Sequence, residues 1–353
     1  MALAVGGPPC LCAEEREPAA QRDTPPPWRL KWLGDEPGAR ARLARWSISG
    51  AATRGIRTEY SGLGSFPALT APGAAIAGID HFYDDGYNRV DISGNAGNLT
   101  LFWGYDNASQ NVAGSILMNS SSLGAPGRLA SDNELAPGIE LRYDLPLARV
   151  GGSLWGLAAR VGWAKVENTD RRTTTGAVTV LTHAYSLGGA PAPAPGHAGL
   201  FGTPGPLLSD IPVASSATVP GGATIAGLRS VAADLATLRL GPWMEFALTD
   251  RLFVQLAGGG TAMLGASRFE FTETTTIPAA GVQTASGTTT KLLGLGGGFL
   301  EGGIRCGVSE HAFVFASAAQ QWLTGYQQSV GGRQVNVRLD SVTSFSVGIG
   351  LVW

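Results

Sequence analysis

The sequence predicts an all-β fold, an antiparallel up-and-down β-barrel that crosses a membrane, on three observations. Long stretches alternate between apolar and polar residues, as strands with two different faces do. The connections between these stretches alternate between short and long. The 353 residues contain no run of eighteen apolar residues, which excludes an ordinary transmembrane helix. The hydrophobic content of 44% is thus spread over two-faced strands, as in transmembrane barrels.

Composition excludes some classes of function. The net charge of −2 and the absence of a basic stripe give no support to nucleic-acid binding. The three cysteines, Cys10, Cys12 and Cys306, have no further metal ligands nearby in sequence, so neither a metal site nor a cofactor is expected. Low cysteine use also fits an exported barrel that needs no disulfides.

The chain divides into three parts. Residues 1–13 contain small apolar residues and are interpreted as the remainder of a secretory signal peptide, with a disordered tail as the alternative. Residues 14–46 are charged and proline-rich and are expected to form a periplasmic lead-in. Residues 47–353 form the predicted barrel.

Within the barrel, alternation is weak at 47–60 and 113–119 and clear at 98–106. It is clearest beyond residue 136, in the segments 139–145, 155–163, 238–248, 252–267, 289–308, 312–328 and 335–353. Counting back from the last strand gives about ten strands, with eight or twelve still open, because natural single-chain barrels have even numbers.

The connections near 146–151, 249–250 and 309–311 are short, whereas those at 166–229 and 275–288 are long. Short periplasmic turns and long extracellular loops are typical of outer-membrane barrels. The insert 166–229 contains two strand-like segments, TGAVTVLTHAYSLG and GGATIAGLRS, which could extend the barrel wall above the membrane as a hairpin.

The last nineteen residues, Val335 to Trp353, alternate almost without a fault. A bilayer-spanning strand needs about 9–11 residues, so this segment is long enough to cross. Its apolar face and terminal Trp353 resemble the closing strand of bacterial outer-membrane β-barrels. The resemblance covers most of 47–353 without indicating a specific family, although it is porin-like. It implies an outer-membrane location and recognition by the barrel-insertion machinery.

The apolar faces would meet lipid, and the aromatic residues among them would form interfacial girdles. The candidates are Trp103, Tyr105, Trp155, Trp163, Phe246 and Trp353. The alternative is a soluble β-sandwich in which the same faces form the core.

The opposite faces carry mixed charges that would line the lumen. These residues are Glu140, Arg142, Asp144, Arg160, Arg239, Glu245, Arg251, Gln255, Glu301, Arg305, Arg338 and Asp340. In a narrow barrel they would form a salt-bridged core that closes the bore. In a wider barrel they would line a water-filled pore and set its ion selectivity.

The segment 80–91 concentrates carboxylates, aromatics and one histidine. The favoured interpretation is a folded loop or inward plug, held by aromatic packing and by pairs among Asp80, Asp84, Asp85, Arg89 and Asp91. A calcium site is an alternative, since Asp84, Asp85, Asn88 and Asp91 offer oxygen ligands, but the spacing does not match an EF-hand loop. A rim catalytic site like that of the omptin proteases is a weaker one, because those enzymes draw their residues from separate strands.

The sequence therefore predicts an outer-membrane barrel that acts as a diffusion pore for small polar solutes or ions. The alternative is a non-transporting structural or adhesive surface barrel with a plugged lumen. Enzymatic activity is not expected, and the expected partners are outer-membrane lipid and the insertion machinery.

Overall fold

The structure, a computed structural model, describes residues 31–32, 44–66, 80–89, 97–132, 135–150, 152–199 and 205–352. Residues 1–13, which carry the predicted signal remnant, lie outside the described residues, as do Asp91 and Trp353. No helix in the described part of the chain is long and apolar enough to span a bilayer. The described residues form one short 3₁₀ helix, Ala108–Gln110, and these strands: β1 Lys31–Trp32, β2 Arg45–Arg54, β3 Arg57–Leu63, β4 Asp80–Tyr83, β5 Gly86–Arg89, β6 Leu99–Thr100, β7 Trp103–Tyr105, β8 Asn111–Val112, β9 Ser115–Ala125, β10 Gly127–Asp132, β11 Ala136–Val150, β12 Ser153–Asp170, β13 Thr174–Ser186, β14 His197–Ala198, β15 Leu208–Ser209, β16 Val213–Ala247, β17 Leu252–Ile277, β18 Gly281–Gly307, β19 Ala312–Leu323, β20 Tyr326–Val330, β21 Arg333–Arg338 and β22 Val342–Val352.

Eight of the described strands close into a ring in which every neighbouring pair is antiparallel. The order around the ring is β2, β11, β12, β16, β17, β18, β19 and β22, and β22 pairs back to β2. Closure leaves no open sheet edge in the ring, which a bilayer requires because lipid cannot hydrogen-bond the backbone. The ring lies at the lower end of the predicted range of eight to twelve strands.

The outer surface of the ring is apolar. Its exposed side chains include Ile48, Leu141, Leu157, Val161, Leu240, Leu256, Leu264, Leu300, Ile304, Val347 and Ile349. The inner surface carries charged and hydroxyl side chains, which are buried within the ring. An antiparallel ring that is apolar outside and polar inside has the architecture of an outer-membrane β-barrel.

The two ends of the ring differ. At one end, called here the short-turn end, tight connections join β11 to β12, β16 to β17 and β18 to β19. At the other end the strands continue far beyond the ring, and β17 alone has 26 residues. That length is roughly 85 Å at about 3.3 Å per residue, well over what a bilayer requires. We call the part beyond the ring the extension.

On one side of the extension, β12, β16, β17 and β18 continue without a break, and β13 and β9 pair beyond them. The pairing of β13 with β16 confirms that the insert 166–229 contains a hairpin that extends the wall. The predicted long loop at 275–288 is wrong, because β17 and β18 pair up to Ile277 and Gly281. That connection is only three residues long.

On the other side, four ring strands break and resume as a second sheet. The ring order β11, β2, β22, β19 reappears above as β10, β3, β21, β20. At each break the alternation changes phase: even-numbered residues face inward in β22, whereas odd-numbered Val335 and Val337 are buried in β21. The last nineteen residues therefore form two strands, not one, and the prediction of a single strand is wrong.

The second sheet packs against the unbroken wall around a large apolar core. This core includes Tyr60, Leu63, Ile225, Val231, Leu235, Met263, Phe269, Phe271, Val335 and Val337. The interior thus changes along the barrel axis, from polar within the ring to apolar within the extension.

Candidate functional site

The interior of the ring holds most of the predicted lumen residues. Glu140, Arg142, Asp144, Arg160, Arg239, Glu245, Gln255, Glu301 and Arg305 are all buried there. They come from β11, β12, β16, β17 and β18, whose alternation turns one face of each strand toward the axis. Arg45, at the start of β2, joins them and was missed because the predicted barrel began at residue 47.

Glu301 is the centre of the main charged cluster. Its carboxylate accepts from Nη1 of Arg142 at 3.3 Å, from Nη1 of Arg239 at 3.2 Å and from Arg160. Arg239 also pairs with Glu140. The guanidinium groups of Arg160 and Arg239 both lie over the ring of Phe299. The Glu301 side chain is only 4% exposed. The cluster therefore joins opposite walls of the ring across its axis.

A second cluster lies nearer the short-turn end. The two oxygens of Glu245 accept from Arg45 at 2.7 and 3.0 Å and from Arg305 at 3.0 and 2.8 Å. Arg305 also lies over Phe253, 4.1 Å from the ring centroid. Asp144 accepts from Nε of Arg142 at 2.8 Å and from Nε2 of Gln255 at 3.4 Å, and Gln255 is the strand neighbour of Glu245.

A small cavity lies between these clusters and the extension. A cavity of about 40 Å³ lies between Glu140, Thr237 and Arg239 on one side and Leu235 and Met263 on the other. That volume has room for about three water molecules. The apolar core of the extension begins directly beyond it. The bore is therefore filled twice, first by ion pairs and then by packed apolar side chains.

The extension contains a charged cluster of its own. Glu273, fully buried, accepts from Nε of Arg229 at 2.6 Å, from Nε of Arg333 at 3.1 Å and from the backbone N–H of Gly64 at 3.0 Å. Arg333 lies over Phe271. None of these charges was predicted inward. The signal was present for Glu273, which lies four residues after Phe269 and two after Phe271 and therefore on the same face of the strand.

Within the predicted segment 80–91, residues 80–89 form the hairpin of β4 and β5, which is docked on β9 and β13. The Asp84 carboxylate accepts from the backbone N–H of Ser121 at 2.7 Å, and the Asp85 carboxylate accepts from the backbone and side chain of Asn119 at 2.7 Å. These aspartates satisfy the backbone of a neighbouring strand. The expected aspartate–arginine pairs are not the contacts that Asp84 and Asp85 make.

Behind these aspartates, three buried side chains form a polar chain. The Tyr83 hydroxyl lies 2.9 Å from Nδ1 of His183 and 2.6 Å from the Tyr185 hydroxyl. Burial lowers the pKa of His183 and raises the pKa of Tyr185. Burial also raises the pKa values of Asp84 and Asp85. Among the described residues, no group of three or more His, Cys, Asp or Glu is placed to hold a metal ion.

Several predicted positions require correction. Trp103 and Tyr105 are not girdle residues: both are buried in an aromatic cluster of the extension, where Nε1 of Trp103 donates to the carbonyl of Pro206. Arg338 and Asp340 do not face the lumen, because the change of phase turns them outward in the extension. Arg251 is exposed in a turn at the short-turn end.

The other predicted girdle residues lie on the outer face of the ring. Trp155 and Trp163 are 39% and 46% exposed, and Phe246 is partly exposed. Trp46, 46% exposed and packed on Tyr143, lies on the same face and was not predicted. Asp80 and Arg89 form the paired ends of the β4–β5 hairpin.

No family model and no curated protein sequence matches this chain. Among solved structures, it is similar to the outer-membrane protease OmpT of Escherichia coli, at 9% identity and a TM-score of 0.32, over 93% of this chain and 100% of that one. It is also similar to Ail, the attachment invasion locus protein of Yersinia pestis, at 10% identity and a TM-score of 0.23, over 88% of this chain and 98% of that one. A Pseudomonas aeruginosa FadL homologue matches at 10% identity and a TM-score of 0.19, over 91% and 93%. These are bacterial outer-membrane β-barrel proteins, the class predicted from the sequence.

Proposed function

We propose that the ring is a closed anchor in the outer membrane and that the protein acts at the cell surface through its extension, as a non-transporting structural or adhesive barrel. One observation carries this proposal: buried ion pairs around Glu301 fill the bore, and a packed apolar core lies above them. An eight-stranded ring is just wide enough for its own side chains to fill it.

The diffusion pore predicted from the sequence is the competing proposal. It would require both layers to move, because the ion pairs and the apolar core block the same axis. Breaking a buried pair by removing one partner costs about 3–5 kcal/mol, since the remaining charge stays buried and unpaired. The absence of enzymatic activity stays a prediction.

Recordings from planar bilayers test the proposal. Folded protein, verified by its heat-modifiable migration on gels, should give no stepwise current in a membrane where an established porin conducts. The matched control is the double variant Arg57→Ser/Asp132→Ser, which removes an exposed 2.9 Å pair from the extension and should be equally silent.

Stepwise current from the wild-type protein would overturn the closed anchor and support the pore. In that case the substitution Glu301→Gln should change the ion selectivity, because it removes the central negative charge of the bore.

A further inference from the structure

The ring is hollow at its short-turn end. A vestibule of about 580 Å³ lies there, bounded by turn residues such as Thr249 and by the cluster around Glu245. Pockets of roughly 300–1,000 Å³ are the usual size for small-molecule sites. The ion pairs form its floor, so the vestibule is a blind pocket that opens away from the extension.

The charge of this vestibule is unbalanced. It is lined by Arg45, Arg149 and Arg305, against the carboxylates of Glu245 and Asp250. Both oxygens of Glu245 are occupied by Arg45 and Arg305. With three arginines against two carboxylates, the lining carries a net positive charge.

The walls of the vestibule also select for an apolar group on the ligand. Leu154, Leu248 and Phe253 supply apolar surface beside the arginines. Arg305 is held between Phe253 and Phe313, at 4.1 and 5.1 Å from the ring centroids, which fixes the plane of its guanidinium. Its Nε and Nη2 already donate to Glu245, so Nη1 is the nitrogen that remains to donate a charge-assisted hydrogen bond to a carboxylate from solution.

We infer that this vestibule binds a small carboxylate that carries a short apolar group. Short turns face the periplasm in outer-membrane barrels, so the ligand would come from that compartment. The inference does not depend on the closed-anchor proposal, because the vestibule lies on the short-turn side of the Glu301 cluster that fills the bore.

Calorimetric titration of the folded protein in non-ionic detergent tests this inference. The probe is N-acetyl-leucine, and the control is its amide, which has the same apolar body without the charge. The acid should bind roughly tenfold or more tightly than the amide, because charge-assisted hydrogen bonds are the stronger ones. Equal affinities, or no binding of the acid, would overturn the inference.

Two exposed positions avoid the folding problem that removal of Arg45 or Arg305 would create. Leu248→Asp places a negative charge at the mouth and also removes apolar surface, so it should weaken binding of the acid several-fold more than Leu248→Asn, which removes only the apolar surface. Arg149→Gln should also weaken it, while Arg338→Gln, in the extension, should have no effect. Unchanged affinity in both Leu248→Asp and Arg149→Gln would place the acid elsewhere and overturn the site. Inorganic phosphate that binds as tightly as the acid would overturn the requirement for an apolar carboxylate.

Discussion

Three buried carboxylates, Glu245, Glu301 and Glu273, organise the arginines of the interior at successive levels along the axis. A carboxylate has two oxygens and about four lone-pair sites, so one can accept from two or three guanidinium groups. Burial makes such sharing necessary, because an unpaired charge in the interior is costly. Each carboxylate therefore joins strands that are far apart in sequence.

Removing the carboxylate of Glu273 should destabilise the extension. Glu273→Gln leaves Arg229 and Arg333 buried without a counter-charge, so we expect a loss of about 3–5 kcal/mol in the free energy of unfolding. Denaturant unfolding monitored by circular dichroism measures it. The control is Glu270→Gln, which removes a 2.8 Å pair with Arg268 whose side chains are 43% and 60% exposed, and should change stability by about 1 kcal/mol or less. Similar effects of the two substitutions would contradict the importance of burial.

At the scale of elements, the breaks in the strands determine which face is buried. Gly55 separates β2 from β3 with a φ of +88°, and a Cβ there would lie 2.5 Å from the carbonyl oxygen of Ser341, in the break between β21 and β22. Two adjacent strands therefore break at the same level. Only glycine adopts this conformation without strain and also permits the close approach.

Gly55→Ala should consequently be destabilising, by about 1–3 kcal/mol for the left-handed conformation and more for the clash. Gly50 offers a matched control in the same strand, because a Cβ there would meet nothing within 4 Å. Gly50→Ala should be close to neutral. Thermal unfolding of the two variants gives the comparison, and equal melting temperatures would show that the break tolerates a side chain.

The sequence predicted the barrel and its polar interior but missed the breaks, for a physical reason. Odd-numbered residues are apolar from Val335 to Leu339 and again from Phe345 to Leu351, so the alternation looks continuous. In β21 they face the apolar core, whereas in β22 they face outward from the ring. Two changes occur at the same level and cancel in the sequence. The residues that face inward change from odd-numbered to even-numbered, and the interior changes from apolar to polar. Alternation alone cannot reveal such a break.

In β17, which has no break, the same transition is visible in the sequence. Most apolar residues occupy even positions up to Leu264, whereas those from Phe269 onward occupy odd positions. That shift marks the level at which the apolar face moves from the outside of the barrel to the inside. The predicted girdle at Trp103 and Tyr105 failed for a different reason, because short alternating segments of an aromatic core resemble a lipid-facing strand.

The docking of the β4–β5 hairpin should depend on pH. Burial lowers the pKa of His183, so the docked state disfavours its protonation. The resulting stability is present above the ordinary pKa of about 6.5 and is lost as the pH falls through the lowered value. The raised pKa values of Asp84 and Asp85 have the opposite effect at lower pH. They stabilise the docked state as the pH falls, because that state binds more protons than the undocked one.

Hydrogen exchange of the backbone amides in 86–89 should therefore show less protection at pH 5.5 than at pH 7.5, after correction for the intrinsic rate. His183→Gln cannot take up a proton and should remove this difference. An unchanged pH dependence in that variant would assign the effect to other groups.

At the scale of the whole molecule, the ring and the extension share one wall, whose outer face is apolar in the ring and polar in the extension. The inner face changes in the opposite sense. On β17 the outer face carries Leu256 and Leu264 in the ring and Thr272 and Thr274 in the extension. The inner face changes from Gln255 and Thr261 to apolar aromatic residues. An apolar outer face, as in the ring, suits a surrounding of hydrocarbon, and a polar outer face, as in the extension, suits a surrounding of water. The bilayer boundary should therefore lie just beyond Leu264.

Fluorescent labels on the outer face of β17 locate that boundary. A bimane at Leu264→Cys, 65% exposed on the ring, should be quenched by brominated lipid and protected from aqueous iodide. Thr272→Cys lies eight residues further, roughly 26 Å along the strand, and should show the reverse. Both labels require a background in which Cys10, Cys12 and Cys306 are serine. Iodide quenching at both positions, with no effect of brominated lipid, would contradict membrane insertion of the ring.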